Sequence, residues 1–426
     1  MHSTGHIDSY YAATANPAPC HPPFTGTAAC DVCVIGGGIT GLGAALALAE
    51  RGYRVILLEA ERIGWGASGR SGGQIMAGYA VEAPALAAML GLPLARRLFD
   101  LSREAIAEVK ARIARHGIAC DWRDGQILAA IKTRQVRELE RLQGVLERDF
   151  GYPGARLARG PEVQALVASA LYPAVLLDPG GGHLHPLNYT LGLAGAAAAA
   201  GVVIHEKSPA RALVGGARPI VKLGEGEVRA RQIVLAGNVY LGELVPRLRR
   251  RIMPVGTYVA ATAPLGAARA HALIPSGACV ADMNFVLDYF RVAADHRLLF
   301  GGRVSYSTLP PPGIAASLQR RMRRVFPALA DVDMDYAWGG FVDITMNRAP
   351  DLGRLDGTIY YAQGFSGQGM ALGAFAGGVL AAAIAGTNER LDLFAKIPHR
   401  EFPGGRFLRM PLLVLATLYY RLRDWL

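Results

Sequence analysis

Asp31–Glu59 constrains this chain more than any other stretch. It opens with Val32, Val34 and Ile35 in a short apolar run, the pattern of a buried parallel strand. Gly36, Gly38 and Gly41 follow in G-x-G-x-x-G spacing, with Gly37, Ile39 and Thr40 between them. In such a turn the first glycine permits a tight bend and the second lets a diphosphate approach the backbone. The third lets the helix pack closely on the strand. Leu42, Ala45, Leu46 and Ala49 then repeat at helical spacing, and Gly52 suits a left-handed helix end. A second apolar strand, Arg54–Leu58, stops at Glu59. An acid there, about 20 residues past the glycines, accepts hydrogen bonds from a ribose. The helix N-terminus adds free N–H groups and partial positive charge for a diphosphate. Strand, glycine turn, helix, strand and terminal acid in that order predict a dinucleotide-binding unit. These residues alone leave flavin and nicotinamide both open.

A chain of 426 residues buries a large core and suits two interleaved domains. Hydrophobic residues make up 51% and charged ones 19%, which fits a globular enzyme and excludes a disordered chain. The formal net charge is +11. The arginines that dominate it are scattered and no nucleic-acid motif accompanies them, so no nucleic-acid partner is expected. An anionic substrate, cofactor or membrane surface accounts for the basic balance. Cys20, Cys30, Cys33, Cys120 and Cys279 form no disulfide framework. Cys30 and Cys33 have C-x-x-C spacing but sit on the first strand with no second pair, so they read as structural. His183 and His185 could mimic a metal pair, but no third ligand accompanies them, and no metal is expected. The first 26 residues carry no apolar signal segment, and a cytoplasmic location is expected.

Along the chain, residues 1–27 read as an extended arm, given Pro17, Pro19, Pro22 and Pro23. Arg62–Gln74 is a glycine-rich loop with arginines and serines and no helical pattern, able to approach and hydrogen-bond a bound group. Leu86–Arg115 and Thr133–Phe150 read as amphipathic helices, with a strand pair in Cys120–Ile131 between them. Leu187–Ala200 reads as a helix and Val202–His205 as a strand. Val228–Ala236 reads as one apolar strand ending in an Ala236-Gly237-Asn238 turn suited to lie against a nucleotide. Thr257–Thr262, Asn284–Val292 and Leu298–Phe300 suggest a largely antiparallel sheet. Ala315–Phe326 reads as a helix. Ile359–Ala362 reads as a strand, followed by a second glycine-rich turn and an apolar helix. Met370–Gly386 lacks charge but is short of the roughly 20 residues of a span, so it reads as buried. Met410–Leu426 reads as a tail helix, packed on the protein or in contact with a membrane surface.

The Gly36–Gly41 turn, Glu59, the loop through Gly64-Trp-Gly-Ala-Ser-Gly-Arg-Ser-Gly-Gly-Gln74 and the late Gly364-Phe-Ser-Gly-Gln-Gly369 turn together resemble the D-amino-acid-oxidase family of FAD enzymes. Ser9–Asn16, Gly181–Asn188, Leu287–Arg291, Phe402–Arg406 and Tyr419–Asp424 narrow the resemblance to members that oxidise gamma-glutamylputrescine. The resemblance implies an α/β Rossmann-type FAD-binding domain interleaved with an antiparallel-sheet substrate domain. It assigns 28–90, 180–246 and 345–398 to the first and 91–179 and 247–344 to the second. Residues 1–27 would be the arm and 399–426 the tail helix. It implies non-covalent FAD held by Gly36, Gly37, Gly38, Ile39, Thr40 and Gly41. Glu59 would take the adenosine ribose, flanked by Ala60 and Arg62. Ala67, Ser68, Gly69, Arg70, Ser71, Gly73 and Gln74 would line the path from diphosphate to ring, and Ala236 and Gly237 would lie against the nucleotide. Gly364, Ser366, Gly367, Gln368, Gly369 and Met370 would sit at the pyrimidine edge of the ring.

The reaction so implied removes hydride from a carbon next to nitrogen, releases ammonia as the imine hydrolyses, and passes electrons to O2. N-methyl amino acids, pipecolate and D-amino acids are the alternative substrates, and a quinone the alternative acceptor. Hydride loss needs a neutral amine, which desolvation favours without a dedicated base. No catalytic residue is therefore singled out. The substrate candidates are Asp288, Tyr289, Arg291, Trp338 and Phe341. An arginine suits a carboxylate and an aspartate an ammonium, but along one strand Asp288 faces opposite to Tyr289 and Arg291.

Overall fold

The computed structural model describes residues 5–305 and 312–403. The tail helix expected at Met410–Leu426 lies outside the described residues. Strand β1 (Val32–Ile35) is buried along its whole length and feeds through the glycine turn into helix α1 (Ile39–Ala49). Strand β2 (Val55–Leu58) returns parallel to β1, with Val32 opposite Val55. The six-stranded sheet built on them runs Asp351–Leu355, Ile359–Gln363, Gln232–Leu235, β1, β2, Val203–His205, parallel throughout except at the Asp351–Leu355 edge. Both faces of such a sheet must be covered. One lies under α1 and the apolar helix α2 (Gly369–Ile384), and the other under a small four-stranded sheet that includes Gly26–Ala29.

A second, larger sheet packs beside the first. Its strands are antiparallel except where Cys279–Asp282 runs parallel to Arg123–Ala130. Within it β3 (Tyr289–Val292) and β4 (Met334–Thr345) carry most of the substrate candidates. Ala174–His183 lies whole in this sheet, as does Gln74–Ile75 at its edge, so the sequence-drawn boundary near 180 falls inside a strand.

Several elements differ from the sequence reading, each for a local reason. The arm is not extended at its start: Tyr10–Ala13 is a helical turn capped by Ser9, whose Oγ accepts from the Ala12 N–H. The helix expected at Leu86–Arg115 breaks at Gly91, whose φ of +82° ends Ala83–Leu90 before Leu92–His116 begins. Cys120–Ile131 holds one strand, Arg123–Ala130, after a positive φ at Asp121. The apolar run Val228–Ala236 divides between two sheets, Gly226–Arg229 and Gln232–Leu235. β3 begins only at Tyr289, because residues 282–288 form a turn in which Asp282 accepts from the Asn284 N–H and donates its own N–H to Asp288 O. Among the described residues no single helix is long and apolar enough to cross a membrane. α2 is buried on nearly every side.

Candidate active site

The glycine turn is built by close contact. Gly36 has φ +114°, and a Cβ on it would lie 2.7 Å from the Ala236 carbonyl carbon. A Cβ on Gly41 would lie 1.9 Å from Gly36 O, so only glycine lets α1 start so near β1. Above this turn opens a cleft of about 450 Å³. Gly36, Gly38, Ile39 and Thr40 line its floor, and Glu59 and Ala60 the end of β2. Ala67, Ser68 and Ser71 line one wall, Ala236 and Gly237 another. Gly367, Gly369, Met370 and Phe341 complete it.

Other named residues lie just behind this surface. Gly37 donates its N–H to Glu59 Oε2 at 2.6 Å. Gly69 packs on Gly64 O and Gly73 on Leu184 O, each with no room for a Cβ. The Arg70 guanidinium lies 4.1 Å over the Trp65 ring and donates from Nε to Trp65 O at 2.6 Å. Ser366, with φ +53°, donates its N–H to Asp343 O at 2.9 Å. The Gly364 N–H donates to the Asp343 carboxylate. Gln368 is the N-cap position of α2 and its Nε2 reaches Met76 Sδ at 3.1 Å.

Three expectations need correcting. Arg62 turns away from the cleft to pair with buried Glu206 at 2.8 Å, a charge that would otherwise be unpaired in the interior. Gln74 spends its amide on Val280 O and Phe290 O of the large sheet. Asp288 lies on the far face of that sheet, paired with Arg321 at 2.5 Å. Tyr289 and Arg291 face the glycine-rich loop instead. A Cβ on Gly72 would meet the Tyr289 ring at 2.7 Å. Arg291 Nε donates to Gly72 O at 2.8 Å and Nη2 to the Tyr11 hydroxyl at 3.2 Å. Trp338 Nε1 donates to Arg70 O at 2.9 Å. These three side chains brace the loop rather than line the cleft.

Residues the sequence reading passed over complete the site. Trp65 and Tyr240 line the cleft edge to face with ring centroids 5.5 Å apart, and Ser208 joins them, beside Asn238 of the turn expected against a nucleotide. Asp343 lines it too, 3% exposed, with Oδ2 accepting from the Phe365 N–H at 3.1 Å as well as from Gly364. Burial pushes its carboxyl up to about 6, against the bonds that favour its charged form. His183 and His185 are both buried, and burial lowers each to about 3. His185 caps the helix Pro186–Ala199 by accepting from the Asn188 N–H.

The electrostatics of the cleft favour a dinucleotide. Neither α1 nor α2 has an acid in its first turn, so both present N–H groups and positive dipole ends. Ser68 Oγ, which accepts from Ile39 N at 3.0 Å, sits at the α1 end. The Glu59 carboxyl, raised by burial, accepts from Gly37 and Glu61 N–H and keeps lone pairs for ribose hydroxyls. Three buried polar atoms on the surrounding segments lack partners: Arg70 Nη2, Asn238 Oδ1 and Gln368 Oε1. Such atoms are costly unless a ligand or water satisfies them, and a flavin dinucleotide offers both donors and acceptors. The residues therefore fit FAD.

The sequence profile of the FAD dependent oxidoreductase (DAO) family matches residues 31–383. The chain is 41% identical over 422 residues, 99% of each chain, to the gamma-glutamylputrescine oxidoreductase of Escherichia coli K12. It is 38% identical to a probable oxidoreductase, OrdL, of Haemophilus influenzae, over 98% of this chain and 97% of the relative. Among solved structures, L-proline dehydrogenase from P. horikoshii superposes with a TM-score of 0.72 at 21% identity, covering 87% of this chain and 96% of that one. Glycine oxidase from Bacillus cereus gives 0.71 at 22%, covering 87% and 99%; at this identity both speak for the fold alone. With the family profile spanning both sheets and the cleft between them, the chain belongs to the DAO family of FAD-dependent oxidoreductases.

Proposed function

We propose that this enzyme oxidises gamma-glutamylputrescine at the carbon bearing its primary amine. The supporting observation is the 41% identity, sustained over 99% of both chains, with the E. coli relative of that name. Bound FAD would supply the hydride acceptor. Hydrolysis of the resulting imine gives gamma-glutamyl-gamma-aminobutyraldehyde and ammonia. With oxygen as the acceptor, amine, O2 and water become aldehyde, ammonia and H2O2.

The chain's own part is to bind and orient. The N-termini of α1 and α2 and Ser68 would hold the diphosphate and the electron-rich edge of the ring, and Glu59 the ribose. Phe341 and Met370 give the cleft apolar wall beside these polar groups. An apolar wall disfavours an ammonium, so the amine binds neutral with its lone pair available. No lysine stands between Lys222 and Lys396, so oxygen activation by a lysine side chain within that region is not part of this reading.

The test is anaerobic. The purified yellow protein is mixed separately with gamma-glutamylputrescine, putrescine, sarcosine and D-alanine, and its visible spectrum is followed. Bleaching by gamma-glutamylputrescine alone, with recovery and peroxide on admitting air, is the expected result. Bleaching by another amine instead would move the substrate. Bleaching without recovery in air would replace oxygen by another acceptor.

A further inference from the structure

The Asp343 carboxylate lies where separate segments of the cleft wall meet. It belongs to β4. Its Oδ2 accepts from the backbone N–H groups of Gly364 and Phe365, at the start of the late glycine turn. Its carbonyl accepts from the Ser366 N–H at 2.9 Å. The Asn238 side chain, in the turn after Gln232–Leu235, lies near its carboxylate and favours its charged form. Two of these neighbouring residues hold backbone that non-glycine residues rarely adopt, Asn238 at φ +50° and Ser366 at φ +53°. Such conformations persist only where the surroundings over-determine them.

We propose that Asp343 is a positioning residue for the cofactor. It fixes the Gly364–Met370 turn and Asn238 against each other, so that the uncapped N–H groups opening α2 stay aimed at bound FAD. The argument rests on FAD as the cofactor and not on any choice of amine. By taking the N–H groups of Gly364 and Phe365, the carboxylate bends the chain back before α2. The helix then begins at Gly369 with no side-chain cap. Those free N–H groups would favour negative charge on a group bound at this helix end. Met370, one residue further on, lines the cleft and accepts at Sδ from Ser71 Oγ, 3.1 Å away. Movement of the turn therefore reaches the glycine-rich loop on the opposite wall.

The test compares Asp343→Ala, Asp343→Asn and Asn238→Ala with the parent holoenzyme. The readouts are the FAD dissociation constant, the flavin absorption spectrum and the midpoint potential by dithionite-dye equilibration. None needs an amine substrate, so a failure here is separable from a failure of the substrate reading. Asp343→Ala leaves two buried N–H groups without an acceptor and is expected to weaken FAD binding by about tenfold or more and to shift the spectrum. Asp343→Asn keeps an acceptor oxygen and should restore most of the affinity. Its loss of charge should leave the midpoint potential higher than in the parent. Should Asp343→Ala fail to fold, Asn238→Ala, which removes one arm of the same junction, is expected to weaken FAD binding severalfold. Unchanged affinity, spectrum and potential in the variants that fold would overturn the proposal. So would an Asp343→Asn protein no better than Asp343→Ala.

Discussion

At the scale of single residues, burial decides which charge states this protein tolerates. His185 is 3% exposed, and its ring has one consistent arrangement. Nδ1 accepts from Asn188 N at 3.1 Å, so Nε2 carries the proton toward Thr14 Oγ1 at 3.0 Å. Protonating Nδ1 would set two donors against each other. Desolvation first, and the nearby Arg291 charge second, hold the ring down to about 3. The unfolded ring titrates near the ordinary 6.5. A group depressed in this way binds more protons unfolded than folded between about 3 and 6.5, so it destabilises as pH falls through that window. His185→Asn keeps a side-chain cap without the titration. Between pH 6.5 and pH 5 the parent should lose about 2 kcal/mol relative to this variant, read from thermal or urea unfolding of both FAD-loaded proteins. A gap that stays constant with pH would mean the ring is not held neutral.

At the scale of elements, two helices bring their N-termini to one cleft because small residues let their backbones nearly touch. A Cβ on Gly377 of α2 would lie 2.3 Å from Thr40 O and 2.5 Å from Ala44 N of α1, and those backbone atoms have nowhere to move. One position further, a Cβ on Gly378 would meet only Arg112 Nη2 and Glu108 Oε1, both at 3.5 Å. The pair separates packing from propensity. Gly377→Ala should cost about 1–3 kcal/mol by forcing the helices apart, with weaker FAD retention because Thr40 lines the cleft. Gly378→Ala should be neutral, or more stable by up to about 1 kcal/mol. Thermal midpoints and bound flavin per chain measure both. The sequence made these helices visible, since apolar spacing and glycine turns are local signals. It also placed β1, β2 and the glycine turn at one cleft, because a parallel βαβ unit leaves little topological choice. What it hid were breaks made by single backbone angles, as at Gly91, and partners set by sheet register. Arg62, Gln74 and Asp288 have the right chemistry for a cofactor or an amine, yet Glu206, Val280 O with Phe290 O, and Arg321 take them. Those partners lie far away in sequence, so only the assembled fold could reveal them. Asp343 escaped notice for the same reason, since the residues it holds, Gly364 and Phe365, lie in another segment.

At the scale of the whole molecule, the N-terminal arm is part of the enzyme's frame. Tyr10 donates its hydroxyl to Asp295 of the large-sheet domain at 2.9 Å, and Asn16 donates its N–H to Asn188 Oδ1 at 2.8 Å. Further along, His21 N–H reaches Glu206 at 3.0 Å and Phe24 N–H reaches Ser208 Oγ at 2.8 Å, both beside the six-stranded sheet. The arm thus spans the two layers between which the cleft opens. Its centre is Tyr11, fully buried, with its ring edge on Trp338 at 5.1 Å and its hydroxyl accepting from Arg291. Arg291 in turn holds Gly72 O, next to Ser71 on the cleft wall. Tyr11→Phe preserves the ring packing and removes only the acceptor, leaving part of a buried guanidinium unsatisfied. The expected loss is about 1–3 kcal/mol, and the loop that Arg291 steadies should hold FAD less tightly. Removing residues 1–24 deletes all of the arm's own ties to the two layers at once and should release FAD at a lower temperature than Tyr11→Phe does. Flavin fluorescence during a thermal ramp reports that release directly, and circular dichroism on the same ramp reports unfolding. If the arm is a frame, flavin release precedes unfolding in both variants and by the wider margin in the truncated one. A truncated protein that releases FAD and unfolds as the parent does would show that the two sheets hold the cleft without it.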